Sequence, residues 1–221
     1  MLIPSVSEDD RLAKLLETID CPYVRIACAS VDKPARIVLT HDARGAAAAA
    51  RRLAELGHRR IAYLSGPPLF RSAHERRAGF IAGLAEYGLE LVPDLAVLGA
   101  YTYESGLARG RELLARPDRP TAIFAGNDEM ATGVYSAAHE LGLRIPEDLS
   151  VIGFDDAPIA TRIWPAMTSV RLPVRDMGRT AAEGLFAAPK AAAAKGPVAE
   201  FTPSLIERDS TAPPPRARSR S

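Results

Sequence analysis

Cysteine is nearly absent from this sequence: Cys21 and Cys28 are the only two among 221 residues. Two thiols so placed build neither a disulfide framework nor a metal knuckle, so reduced thiols in a cytosolic protein are expected. Long hydrophobic runs are missing too. No stretch approaches the roughly 20 apolar residues that a membrane-crossing helix needs. The opening Met1-Leu2-Ile3-Pro4-Ser5 lacks the basic and apolar regions of a secretory signal. Charge of one sign is not in surplus, because 28 basic and 27 acidic side chains leave a net charge of +1. A domain that grips nucleic acid unaided carries a basic excess, since neutralising phosphates supplies much of the affinity. A polyanion is therefore not the expected ligand of these residues.

Catalytic signatures are also lacking. No Gly-x-Gly-x-x-Gly follows a strand, and no phosphate-loop Gly-Lys-Ser/Thr, Gly-x-Ser-x-Gly elbow or His-Glu-x-x-His helix occurs. The four histidines, His41, His58, His74 and His139, show no metal-ligand spacing. His58 falls at a helix-to-strand turn, where capping is a simpler role than metal binding. Asp155 and Asp156 are adjacent and need not face the same space. No catalytic residue, metal or cofactor is expected, and an enzyme is disfavoured. Arg44 to Arg60 (RGAAAAARRLAELGHRR) begins like a helix-turn-helix, but Ile61-Ala62-Tyr63-Leu64 reads as a strand where a recognition helix is required.

What is present is a β-then-α alternation in a chain of 47% apolar and 25% charged residues, enough for one large domain or two small lobes. Strands are expected at Tyr23–Cys28, Arg60–Leu64, Ala96–Gly99, Ala122–Ala125 and Leu149–Phe154. Helices are expected at about Arg44–Leu56, His74–Tyr87, Glu104–Ala115 and Glu129–Leu141. Gly57, Gly88 and Gly142 follow three of those helices, where a left-handed cap favours glycine. Such units make an α/β fold with a parallel sheet covered on both faces. Beyond Thr168 a crossover at Ser169–Pro173 leads to a helix at Val174–Phe186. A low-complexity stretch follows at Ala187–Gly196, then a strand pair near Val198–Phe201 and Ser204–Arg208. The proline- and arginine-rich end, residues 212–221, is expected to be disordered.

In such sheets ligands sit beyond the C-terminal strand ends. Those positions hold Ser65-Gly66-Pro67-Pro68, Ala100-Tyr101, Gly126-Asn127-Asp128 and Asp155-Asp156. The plainer role for an Asn or Asp there is an N-cap, worth about 1 kcal/mol. Several such ends converging on one side of one sheet argue for a site.

At this point the residues resemble a known family. Leu56-Gly57-His58-Arg59-Arg60-Ile61-Ala62 with Ser65-Gly66-Pro67, and Arg76-Arg77-Ala78-Gly79-Phe80, are similar to segments of LacI/GalR transcriptional regulators. So are Phe124 to Ala131 (FAGNDEMA), Gly142 to Asp156 (GLRIPEDLSVIGFDD), Thr168-Ser169-Val170, Met177-Gly178 and Arg208-Asp209-Ser210-Thr211. The resemblance covers about residues 2 to 211. It implies a two-lobed, periplasmic-binding-protein-like fold with a small effector, a sugar by its chemistry, between the lobes. Carried over, the effector contacts are Arg76, Asn127 and Asp155, with Tyr101 as an aromatic wall and Ser72 as a further contact. Arg76 offers a fork of donors, Asp155 accepts, and Asn127 does both. The alternative for Arg76 is a solvated helix-surface charge beside Glu75. Two departures, Cys28-Ala29-Ser30 and Leu172, stand where relatives carry polar contacts.

The resemblance further implies a cytoplasmic homodimer built on Thr132, Tyr135, His139, Ile159, Ile163 and Trp164. The alternative is that Ile159, Ile163 and Trp164 pack within their own lobe. Residues 1–40 and 169–202 are expected to be the remnant of an N-terminal lobe, and 41–168 and 203–211 the C-terminal lobe. The helix-turn-helix domain is expected to be absent, so operator DNA is reached only through a headpiece outside this sequence. An uncovered sheet edge in the shortened lobe is expected to lower stability. A sugar receptor of a transport system is the alternative function.

Overall fold

The computed structural model describes residues 2–4, 15, 18–19, 23–28, 37–186 and 197–215. The described strands form two sheets. One has four parallel strands in the order β1 (Leu2–Pro4), β2 (Val24–Cys28), β3 (Ile37–Thr40) and β9 (Pro197–Phe201). The other has six strands: β10 (Ser204–Ile206), β8 (Thr168–Arg171), β7 (Ser150–Asp155), β6 (Ala122–Ala125), β4 (Ile61–Ser65) and β5 (Ala96–Leu98). All of its pairings are parallel except β10 with β8. This is the α/β architecture that the alternation predicts.

The side-chain period of two in the central strands decides how the six-stranded sheet is covered. Tyr63, Phe124, Ile152 and Phe154 face one side. Against them pack α1 (Asp42–Glu55) and α2 (Arg71–Ala85), through Ala46, Ala50, Leu53, Phe80 and Leu84. Leu64, Ile123, Ala125 and Val151 face the other side, against α3 (Tyr103–Leu114) and α4 (Asp128–Glu140) through Leu113, Met130 and Val134. Gly79 lets α2 lie against the backbone of Ala43 in α1, so close that any β-carbon would collide. The smaller sheet packs α5 (Val174–Phe186) on Val24 and Val38 through Met177 and Ala181. Leu172 touches the cores of both sheets, which accounts for an apolar residue at that crossover.

The helices and strands expected from sequence are present, with ends moved by at most three residues. Gly57, Gly88 and Gly142 have φ of 95°, 65° and 66°, as left-handed caps require. Three expectations need correction. The segments at Val198–Phe201 and Ser204–Arg208 are not a pair: β9 joins the small sheet and β10 the large one. The strand at Thr168–Arg171 pairs with β7, so residues 169–171 belong to the larger sheet and not to the smaller lobe. The supposed disordered end at 212 is held at its start, where the Ala212 carbonyl accepts from His58 at 2.9 Å and its N–H donates to Ser150 at 3.0 Å. The low-complexity stretch and residues 216–221 lie outside the described residues.

Candidate functional site

The C-terminal ends of β4, β6 and β7 open onto one rim, and α2 lays a buried arginine across it. Arg76 donates from Nε to Asp42 at 2.8 Å and from Nη1 to the Gly126 carbonyl at 2.6 Å, while Nη2 lies 3.6 Å from Asp155. Its guanidinium carbon sits 3.6 Å from the centroid of the Phe154 ring. Burial works against the Arg76 charge, but the carboxylates of Asp42 and Asp155 outweigh it and keep the group protonated. The solvated-surface alternative for Arg76 fails, because its side chain is only 8% exposed and its ion-pair partner is Asp42. Asp42, held also by the Thr40 hydroxyl at 2.9 Å, was not legible as a site residue; as an acidic residue in a helix's first turn it reads as a dipole partner.

Asp155 ends β7 with φ of 109°, and its side chain keeps 39% exposure on the open face of the rim. Its carboxyl is pushed up to about 6, chiefly by burial, with Arg76 opposing and Asp42 adding to the rise. Asp156 has φ of 54° and the opposite fate. It is spent on Arg171 at 2.7 Å and Arg208 at 2.6 Å. Adjacent carboxylates thus divide the labour: one ties two arginine side chains, the other faces outward.

Asn127 caps α4, accepting from the Met130 N–H at 3.0 Å and donating to the Tyr101 carbonyl at 3.1 Å. The plain capping role is real, and it leaves one N–H and one lone pair unspent. Tyr101 is held at φ of 62° with its ring against Gly66 and 5.5 Å from Phe70. Its buried hydroxyl has no hydrogen-bond partner among the described residues, although Ser72 lies beside it. The five effector contacts expected from sequence are therefore brought together on one rim. Three non-glycine residues with positive φ, Tyr101, Asp155 and Asp156, stand at these strand ends, each a strain of about 1–3 kcal/mol.

Sequence reasoning also missed Asp128. It is buried beneath the rim, accepting from Ser169 Oγ at 2.6 Å and the Ala157 N–H at 2.7 Å. Burial pushes its carboxyl up to about 7, against the pull of those two bonds. Its only signal was adjacency to Asn127.

The residues expected at a self-association surface are divided. Tyr135 is buried, donating to the Pro165 carbonyl at 3.2 Å, and Ile163 packs on the core of its own lobe. Thr132 donates to the Asp128 carbonyl at 2.9 Å. Ile159 is half-buried, His139 is exposed, and Trp164 is 88% exposed. Among the described residues no group of three or more His, Cys, Asp or Glu could hold a metal, and no helix is long and apolar enough to cross a membrane.

Comparison with known proteins adds to this geometry. Residues 50–211 match the model of a periplasmic binding protein-like domain. The "HTH-type transcriptional repressor PurR" of Erwinia tasmaniensis is 39% identical over 178 residues, which are 80% of this chain and 52% of that protein. A solved LacI-family regulatory protein from Chloroflexus aggregans has a TM-score of 0.85 at 33% identity, covering 95% of this chain and 75% of that one. A LacI-family regulator from Enterococcus faecium, solved with bound ribose, has a TM-score of 0.84 at 28% identity, covering 96% and 79%. The chain spans about half the length of the curated relatives it matches.

Proposed function

This chain belongs to the LacI family of transcriptional regulators, and from that premise we propose that it is the effector-sensing part of such a regulator, binding a sugar at the rim of Arg76, Asn127 and Asp155. Tyr101 supplies an apolar wall and Ser72 a further hydroxyl. The observation that carries this reading is unspent hydrogen-bonding capacity at a strained rim. Asp155 has an open face, Arg76 retains donors on Nη1 and Nη2, and Asn127 retains one donor and one acceptor. Together they match vicinal hydroxyls, each of which donates and accepts.

The lobes close over the effector, and the difference in affinity between open and closed states is what shifts operator binding. Operator contact is made by a headpiece outside these residues. The acting form is a cytoplasmic homodimer whose contact centres on Trp164, with His139 and Thr132 beside it and Ile159 and Ile163 at its border. No enzymatic step is assigned. A transport receptor shares the matched domain model, but the relatives named above are regulators.

Isothermal titration of the full chain with a panel of sugars, ribose included, tests the site. Saturable binding that disappears in Asp155→Ala supports it; binding unchanged by Asp155→Ala and by Arg76→Lys removes it. Sedimentation of Trp164→Asp tests the dimer, which must shift to monomer if that indole is buried between copies.

A further inference from the structure

Asp128 stands beneath the rim, one residue after the effector contact Asn127, and is only 1% exposed, so a ligand on the rim does not touch it. An acidic residue in a helix's first turn ordinarily answers the helix dipole. The exposed Glu129 beside it can do that without the cost of burying a charge. Nor does the Asp128 carboxylate cap its own helix, because Asn127 does so.

Both of its oxygens turn instead to the segment that follows Asp155. Oδ2 accepts from the Ala157 N–H at 2.7 Å, and Oδ1 accepts from the Ser169 hydroxyl at 2.6 Å. The same Ser169 oxygen accepts from the Asp156 N–H at 3.1 Å. One carboxylate thus fixes two successive amides, directly at 157 and through Ser169 at 156. They follow immediately on Asp155, in a turn where Asp155 and Asp156 have φ of 109° and 54°. Backbone in that region persists only where its surroundings compel it. The strand β7 makes room for the contact. A β-carbon at Gly153 would collide with Asp128 Oδ1, so a glycine stands inside a buried strand that it otherwise weakens.

We propose that Asp128 is a positioning residue of the effector site: without touching the ligand, it holds the Asp155 carboxylate in register with Asn127. Its backbone belongs to α4, which Asn127 caps, and its side chain holds the turn after β7. The inference rests on the sugar site proposed above. Asn127 and Asp155 stand at the ends of different strands, and groups that grasp neighbouring hydroxyls work only at a fixed separation. Charge is not what the role requires. An amide serves as well, its oxygen on the Ala157 N–H and its nitrogen donating to Ser169, whose hydroxyl oxygen has two lone pairs.

Two measurements on the full chain test it: NMR titration of the Asp155 carboxyl without ligand, and calorimetry with ribose and the other sugars of the panel. In the parent protein burial holds that carboxyl up at about 6. Asp128→Asn should leave both its titration and the sugar affinity as they are. Asp128→Ala should free Asp155 into water, so that its titration falls toward the ordinary carboxylate range. Sugar binding should then weaken about tenfold, the size of loss that removing a ligating group's supporting partner brings. Both variants remove the same charge, so only position separates them. Gly153→Ala, which displaces the carboxylate without altering it, should resemble Asp128→Ala. Ser169→Ala should move both readouts the same way by less, and it carries the test if Asp128→Ala does not fold. His58→Ala, at the far end of the sheet, should move neither. Equal behaviour of Asp128→Asn and Asp128→Ala, or sugar affinity that Asp128→Ala leaves unchanged, would overturn the proposal. If no sugar binds the parent protein, the effector reading fails, and an Asp155 titration that stays near 6 in Asp128→Ala separately removes the positioning role.

Discussion

The two ends of the six-stranded sheet both hold buried polar groups, and they use them in opposite ways. At the N-terminal end His58 bonds to Thr121 at 2.9 Å, Ser150 at 3.1 Å and the Ala212 carbonyl at 2.9 Å. Ser210 closes the neighbouring strands, donating to the Val151 carbonyl at 2.6 Å and accepting from the Thr168 N–H at 2.8 Å. The groups are neutral, and every bond ties one segment of this chain to another. At the C-terminal end the groups are charged, the backbone is strained, and bonding capacity is left open. Polar burial by itself therefore does not mark a site. What marks one is polar capacity that the fold leaves unused.

The largest effect expected is at the charged end. Arg76→Ala leaves Asp42 buried without its cation, so a urea unfolding curve should show a loss of about 3–5 kcal/mol, along with loss of sugar binding. A smaller loss would mean that Asp42 finds another partner. At the neutral end, His58→Ala breaks one hub and should cost about 2–3 kcal/mol in the same measurement. Sugar affinity of the remaining folded protein should not change. A drop there would erase the contrast between the two ends.

pH separates the ends by sign. Burial, opposed by the Ala212 carbonyl, lowers His58 below its ordinary 6.5. Its contribution to stability is complete above 6.5 and is lost as pH falls below that value, because the unfolded chain then binds the proton more readily. Asp128 is raised from 3.8 to about 7, so its contribution is complete below 3.8 and is lost as pH rises through about 7. Urea midpoints across that window should show Asp128→Asn gaining on the parent protein as pH rises. His58→Gln should gain on it as pH falls below 6.5. Parallel curves would show that neither group titrates differently on folding.

The smallest effect concerns strain. Asp155→Gly relieves a backbone at φ of 109° and should stabilise the fold by about 1 kcal/mol while sugar affinity falls. Stabilisation without any loss of affinity would detach Asp155 from the effector.

Much of this was legible in the residues. Alternation and glycine caps gave the elements to within a few positions, because period and cap chemistry are local. Asn127, Asp155 and Tyr101 stand at strand ends, which converge in a parallel sheet, whereas Arg76 and Ser72 lie on a helix and were named through the family resemblance. Asp42 could not be named, since its partner is 34 residues away on another helix and no spacing encodes that meeting. Phe70 likewise reads as a loop aromatic until it is found 5.5 Å from Tyr101. The destinations of β9 and β10 were misjudged because two nearby short strands look like a hairpin, and only sheet pairing distinguishes them.

The sequence by itself determined which segments are strands and helices and which of their ends carry polar groups, since propensity, period and capping act within a few residues. The tertiary structure alone decided that Asp156 is locked while Asp155 is open, and that His58 is a hub. Those outcomes depend on burial and on partners distant along the chain, and burial is what sets both the cost of a charge and the value of its neighbour.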